Sequence, residues 1–364
     1  MPAILLRLAL AATLLSLYAC GAAPPKVEKA GPIVFPKPPD PPRFAYEATI
    51  FGTNAVRNVT EEDRLRRFFT GTTERDGIAF AKPFDVATHQ GRLYVTDTVQ
   101  RAIFVLDFAK QKSFLFADRG DEGDVHKPLG IAIDAKGTVY VCDGTKRAIQ
   151  IYDADGNYLR SVDLSGWAAR PAGIDVSPSG DRLFVIDTGG VETDDHRLGV
   201  VDANSGELIR TIGKRGKADG ELNLPRDVRL GKNGLLYVTD GGNFRVQVFD
   251  QEGRFVRKWG QPGRHLGQFS RPKGIGSDPE GNIYVVDAAF GNFQIFDPDG
   301  NLMLFVGDRS TTLEPAKFML PAGIDVDEDG RVYLVDQFFR KIDVFRPISL
   351  AETTGWFGKR ARDQ

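Results

Sequence analysis

Residues Gly234 to Asp250 read "GLLYVTDGGNFRVQVFD": two short apolar, β-rich runs either side of a polar turn. The first run ends in Asp240, and the same closing aspartate returns in "LYVTD" to Asp97, "VYVCD" to Asp143, "LFVID" to Asp187, "IYVVD" to Asp287 and "VYLVD" to Asp336. Upstream of each run stands a proline followed two residues later by glycine or aspartate: Pro83-Phe84-Asp85, Pro128-Leu129-Gly130, Pro171-Ala172-Gly173, Pro225-Arg226-Asp227, Pro272-Lys273-Gly274 and Pro321-Ala322-Gly323. A string that recurs six times at a near-constant period encodes architecture before it encodes chemistry.

Each unit carries an apolar second strand with no polar face, as expected of a sheet packed between two neighbours. "DADGN" at 153–157 and "DPDGN" at 297–301 have hairpin-turn composition. The closing aspartates are expected to accept hydrogen bonds from the backbone of the next turn, and Arg101, Arg147, Arg245 and Arg340 to pair with them. The stretch Trp259–Gly300, "WGQPGRHLGQFSRPKGIGSDPEGNIYVVDAAFGNFQIFDPDG", resembles a nearly complete NHL repeat, and the resemblance runs over about residues 44–346. It implies an all-β, six-bladed β-propeller of four-stranded blades. Closing the ring removes exposed sheet edges. The last unit shows only three strands, so "FAYEATIFG" at 44–52 is predicted to supply the fourth strand of blade six.

The totals agree with one large β domain. The chain has 364 residues, 41% of them hydrophobic, with 40 glycines and 21 prolines. A formal net charge of −2 supplies no global attraction to nucleic acid or anionic membranes, so electrostatic targeting must come from a local patch.

Outside the repeats, residues 1–19 read as a signal peptide with Arg7 as its only charge and an apolar run too short to span a bilayer. Leu17-Tyr18-Ala19-Cys20-Gly21 resembles a bacterial lipobox, which implies a covalent lipid on Cys20 and an envelope location, with Gly21 pointing to the outer membrane. Residues 20–43, eight of whose members are proline, read as an extended lipid-anchored tether. "TEEDRLRRFF" at 60–69 is predicted to be a short helix capped by Thr60. "TGGVETDDHRLG" at 188–199 lengthens a blade-three loop and reads as a binding loop or an acidic spacer. Residues 347–364 form a tail whose Trp356 and Phe357 either pack on the propeller or meet a partner.

Metal and nucleophile chemistry leaves a weak trace. "DVDEDG" at 325–330 copies the start of a calcium loop, but the register of "DVSPSG" (175–180) and "GSDPEG" (276–281) marks it as a solvated acidic turn between first and second strands. His89, His126, His196 and His265 share no blade register, unlike the zinc-binding histidines of amidating lyases, which resemble NHL propellers. Six-bladed lactonases are also similar, but their calcium-holding Glu, Asn and Asp set has no counterpart at these blade entrances. "GKRGKADG" (213–220) leads into a strand and reads as a connector rather than a phosphate loop. Cys142 fills a slot held by Thr96, Ile186, Thr239, Val286 and Val335 in the other units and reads as a small buried hydrophobe.

What the repeat exposes is charge at the blade entrances. Lys82, Lys127, Arg170, Arg226, Arg271 and Lys273 flank the entrance prolines of five units, and a shared rim would be cationic. Inside it Asp85 and Asp227 replace the glycine of the other four units, on blades that oppose one another in a ring of six; they are candidates to hold a divalent cation or a ligand's amine. The expected function is therefore non-enzymatic: an envelope-anchored scaffold showing a basic face to a protein partner or an anionic polymer, in contact with the membrane only through its lipid and without a nucleic-acid partner. No cofactor is predicted on this reading. The alternative is a metal-dependent hydrolase or lyase with its site in the central channel.

Overall fold

The computed structural model describes residues 31–56 and 77–359. The signal peptide, Cys20 and the helix expected at 60–69 lie outside the described residues. From Ile33 onward the chain forms one compact unit.

That unit is a six-bladed β-propeller. The innermost strands Pro83–His89, Pro128–Ile133, Pro171–Val176, Pro225–Leu230, Pro272–Ser277 and Pro321–Val326 each begin at an entrance proline. Each neighbours the next around the ring, and the sixth returns to the first. Blades one to five are antiparallel sheets in simple sequence order. The sixth closes as expected: Phe44–Ile50 pairs with Lys341–Pro347, Phe44 opposite Pro347 and Ile50 opposite Ile342.

The sheet extends further toward the amino terminus than the sequence reading placed it. Val34–Phe35, inside the segment read as tether, pairs with Phe44–Ala45 as a fifth strand. Phe35 is buried against Phe345 with ring centroids 6.0 Å apart, and that burial anchors an otherwise proline-rich segment.

The core is six inter-blade layers. In blade one, Leu93 and Val95 pack toward blade six with Val335 and Val344, whereas Tyr94 packs toward blade two with Val139 and Val141. Alternation along the strand thus feeds two interfaces at once, which is why both faces are apolar. Cys142 is fully buried in the layer between blades two and three, and burial pushes its thiol pKa up.

The tail packs on the propeller. A short helix, Gly355–Lys359, seats Phe357 against Phe108 of blade one at 4.9 Å and Tyr333 of blade six at 6.1 Å. Beside it the fully buried Arg331 donates to Glu47 at 2.7 Å, tying the closing strand to its own blade. Among the described residues no helix is long and apolar enough to cross a membrane.

Phe357 spans the seam where the two chain ends meet, so Phe357→Ala is expected to lower the unfolding free energy by about 3–5 kcal/mol, measured by denaturant titration.

Candidate functional site

The mouth of the channel is built by the closing aspartates. Asp97 accepts the N–H groups of Ala81 and Lys82 through Oδ2 (2.7 and 2.8 Å), and those of Val99 and Gln100 through Oδ1 (3.0 and 2.9 Å). Asp287 and Asp336 repeat the pattern, each with two amides before the entrance proline and two in the following turn. Asp143 holds His126, Lys127, Thr145 and Lys146 in the same way. A buried carboxylate with four donors is satisfied without a cation.

That is why the arginine partners expected from the sequence are mostly elsewhere. Arg245 does donate to Asp240 at 2.8 Å. Arg101, Arg147 and Arg340 instead occupy a left-handed turn position, with φ of 54°, 51° and 55°. Blade four needs the arginine because its clamp is incomplete: Asp240 receives Asn223 N–H, but the next amide, Leu224 N–H, goes to His196 Nδ1 at 3.1 Å. His196 is fully buried and donates Nε2–H to Gly190 O at 2.7 Å, so the ring is the neutral Nε2–H tautomer. The 188–199 segment therefore folds around His196 and clasps the blade-four entrance.

Each innermost strand carries a register shift between its proline and the isoleucine or valine three residues on. The bulge brings the third residue of every unit into close contact around the channel. A Cβ on Gly323 would lie 2.6 Å from Asp85 Cα, and one on Gly173 would lie 2.6 Å from Asp227 Cα. Two glycines thus make the room that two aspartates occupy.

Asp85, Asp227, Arg226, Arg271 and Lys273 line one cavity of about 250 Å³ at the mouth, walled by Gly130, Gly173, Gly274 and Gly323 with Phe84 and Thr188. Lys82 and Arg170 stand near enough to act on it electrostatically: Arg271, Arg226 and Lys82 all repel the half-buried Lys273, which burial first and then this repulsion bring down to about 8. Burial, with Arg271 and Arg170, also lowers Arg226. Lys127 is exposed at the blade-two entrance, outside the cavity lining. Among the described residues none of these six cations makes an ion pair or a side-chain hydrogen bond, in contrast to Arg92, Arg245 and Arg331.

Below the cations, Asp85 Oδ2 accepts Ile131 N–H at 3.1 Å, and Asp227 accepts Val228 N–H at 2.9 Å and Ile275 N–H at 3.1 Å. Burial raises Asp85 to about 7, with Asp325 adding repulsion, and raises Asp227 well above the usual carboxylate range, with Asp85 adding repulsion. Two residues further along the strands, Arg229 bridges Asp325 (3.1 Å) and approaches Asp175 (3.9 Å), while donating to Ser277 Oγ at 3.1 Å. The sequence reading missed this second layer. Its signal was present, since side chains two apart on a strand share a face and these three charges sit two residues beyond the Gly/Asp position.

The remaining polar candidates are structural. Asp325 and Asp327 are buried, not solvated as the turn reading held: Asp327 accepts Asp329 and Arg331 amides and the Tyr333 hydroxyl, because the turn folds its donors inward. Among the described residues no three His, Cys, Asp or Glu side chains converge as metal ligands do.

The fold defines a class, the six-bladed β-propeller. Residues 222–249 match the NHL repeat model, and residues 48–185 match that of the SMP-30/gluconolactonase/LRE-like region. The chain is similar in fold to virginiamycin B lyase from Staphylococcus aureus (14% identity, TM-score 0.54, 83% of this chain and 99% of that one). It is likewise similar to a gluconolactonase from Xanthomonas campestris (17%, 0.55, 74% and 86%). An auxiliary nutrient binding protein from Bacteroides thetaiotaomicron also matches (14%, 0.56, 74% and 69%). At these identities the likeness is one of architecture.

Asp85 yields a pH signature. An acid with a higher pKa folded than unfolded binds more protons in the folded state between the two values, so it costs stability progressively as pH rises from 3.8 to about 7. Asp85→Asn removes that cost while keeping an acceptor for Ile131. Its unfolding free energy relative to wild type is expected to rise across this window and then level off, by at most about 4 kcal/mol at 1.36 kcal/mol per unit, in denaturant titrations run at pH 4, 5.5, 7 and 8.

Proposed function

We propose that this protein is a non-enzymatic binding propeller that presents its basic mouth to an anionic group on an envelope partner, a protein or an anionic polymer. Propellers similar to it in fold include a lyase, a gluconolactonase and a binding protein, so the fold does not choose among these roles. The mouth supports the binding reading. Six cations gather at five blade entrances without a carboxylate partner, close enough that Lys273 and Arg226 pay in basicity. Uncompensated like charges held together by a rigid scaffold favour an anion arriving from outside, and they speed its association at low salt.

The observation that carries this reading is the missing partner. Half-buried Lys273 has no such partner among the described residues, whereas the buried or half-buried Lys146 and Lys341 are paired, with Asp124 at 2.6 Å and Asp343 at 2.7 Å. The envelope placement is supported by the leader-like residues 1–19 and by Cys20 in its lipobox-like setting.

Replacing both Arg226 and Lys273 by glutamate is expected to weaken binding of long-chain inorganic polyphosphate, used as a generic polyanion, at least tenfold in titration calorimetry. Wild-type affinity is expected to fall steeply from about 50 to about 300 mM salt, as the Debye length shortens from about 14 to about 6 Å. Equal affinity for the two proteins would remove the mouth from the function. Separately, Cys20→Ser is expected to move the protein from the membrane pellet to the soluble fraction of lysed cells and to abolish palmitate labelling.

A further inference from the structure

The mouth cavity carries both signs of charge, and the anion reading uses only one of them. Arg226, Arg271 and Lys273 line it together with Asp85 and Asp227 from opposed blades. The two carboxylates accept fewer backbone amides than the closing aspartates of units one, five and six. Asp97, Asp287 and Asp336 each take four backbone amides, whereas Asp227 takes those of Val228 and Ile275, and Asp85 those of Ile131 and Val86. A carboxylate offers about four acceptor positions, so acceptor capacity remains on the pair where it lines the cavity.

The space fixes the scale of what enters. A cavity of about 250 Å³, open toward the mouth, has room for a single small end group. Below the pair, Arg229 with Asp175 and Asp325 occupies the next layer of inner-strand side chains, and none of the three lines the cavity. An occupant therefore enters from the cationic mouth and meets the carboxylates last.

We infer that the mouth cavity binds a compact zwitterionic end group, its amine on Asp85 and Asp227 and its carboxylate or other anion on Arg226, Arg271 and Lys273. This rests on the anion-binding reading and narrows it to one chemical class. A simple anion satisfies the cations and leaves the carboxylate pair facing an empty space or water; an amine alone must pass a ring of like charge. A zwitterion answers both layers in the order in which the channel presents them. The charged groups acting on the pair are Arg229, Asp175 and Asp325 from the layer beneath. An arriving amine favours the ionised pair, so binding near neutral pH releases protons.

The experiment is titration calorimetry at pH 7 with ω-amino acids from glycine to 6-aminohexanoate, each beside its matching monocarboxylate and monoamine. At least one zwitterion is expected to bind ten times or more tightly than its matching monocarboxylate, with proton release visible as a heat that changes between phosphate and Tris buffers. The Asp85→Asn/Asp227→Asn variant is expected to lose both the preference and the buffer-dependent heat while still binding polyphosphate. Equal binding of zwitterion and monocarboxylate, or a preference that survives in the Asn variant, overturns the inference and leaves the anion site standing. Loss of polyphosphate binding in Arg226→Glu/Lys273→Glu with zwitterion binding unchanged overturns the assignment of the anion to these cations. A stoichiometric divalent ion bound by wild type and lost in the Asn variant would also overturn it, by giving the pair to a metal.

Discussion

The buried carboxylate at the end of each second strand is the constraint on which the rest depends. It is fully buried, where an unpaired charge is prohibitive, and in most blades it is kept there by amides from two different loops. One loop precedes the entrance proline and the other follows the strand. Because both are bound to the same oxygens, the backbone at the mouth has little freedom, and the side chains that flank the prolines inherit that rigidity. Lys82, Lys127, Arg170 and Arg271 are themselves the residues whose amides are clamped. Their charges stay together because their main chain cannot retreat.

The same constraint explains the blade that departs furthest from the pattern; in blade three Asp187 still takes three amides, with Arg197 3.6 Å away. In blade four, His196 from the neighbouring blade takes the amide that Asp240 would otherwise receive, and Asn243, Arg245 and Gln247 fill the vacated acceptor positions. The entrance carrying Arg226 and Asp227 is thus held from two blades. The inserted loop of blade three serves as a brace, and its Thr188 reaches the cavity wall while donating to Pro225 O at 2.9 Å.

Blade number, strand ends and the closing strand were legible because each is written locally, six times over, in proline, glycine and aspartate. The basic entrances and the Asp85/Asp227 pair were legible for the same reason, since a departure from a repeat is visible against its copies. Features that depend on contacts between distant segments were not. Nothing in "PIVFPKPP" announces that Val34 and Phe35 join a sheet whose partner strand is completed by Phe345. Arg101, Arg147 and Arg340 matched the spacing for ion pairs, but the left-handed turn that their position requires comes from hairpin geometry, not from charge. The histidine clasp needs a loop of one blade to reach the entrance of the next, which spacing within a unit cannot express.

Charge in the channel is arranged in layers, and the order of the layers follows from burial. At the mouth the cations reach water, so five blades can each contribute one, with a second from blade five, without neutralisation. One layer in, four glycines bring the inner strands into contact and leave places for only two side chains; these are carboxylates whose charge is reduced by raised pKa rather than by pairing. A further layer in, where neither solvent nor proton uptake is sufficient, Arg229 is present and bonded to what surrounds it. The progression from solvation to protonation to pairing is what a falling local dielectric imposes on like charges. It also places Arg226, Arg271 and Lys273 on one side of a single cavity and the partly satisfied Asp85 and Asp227 on the other.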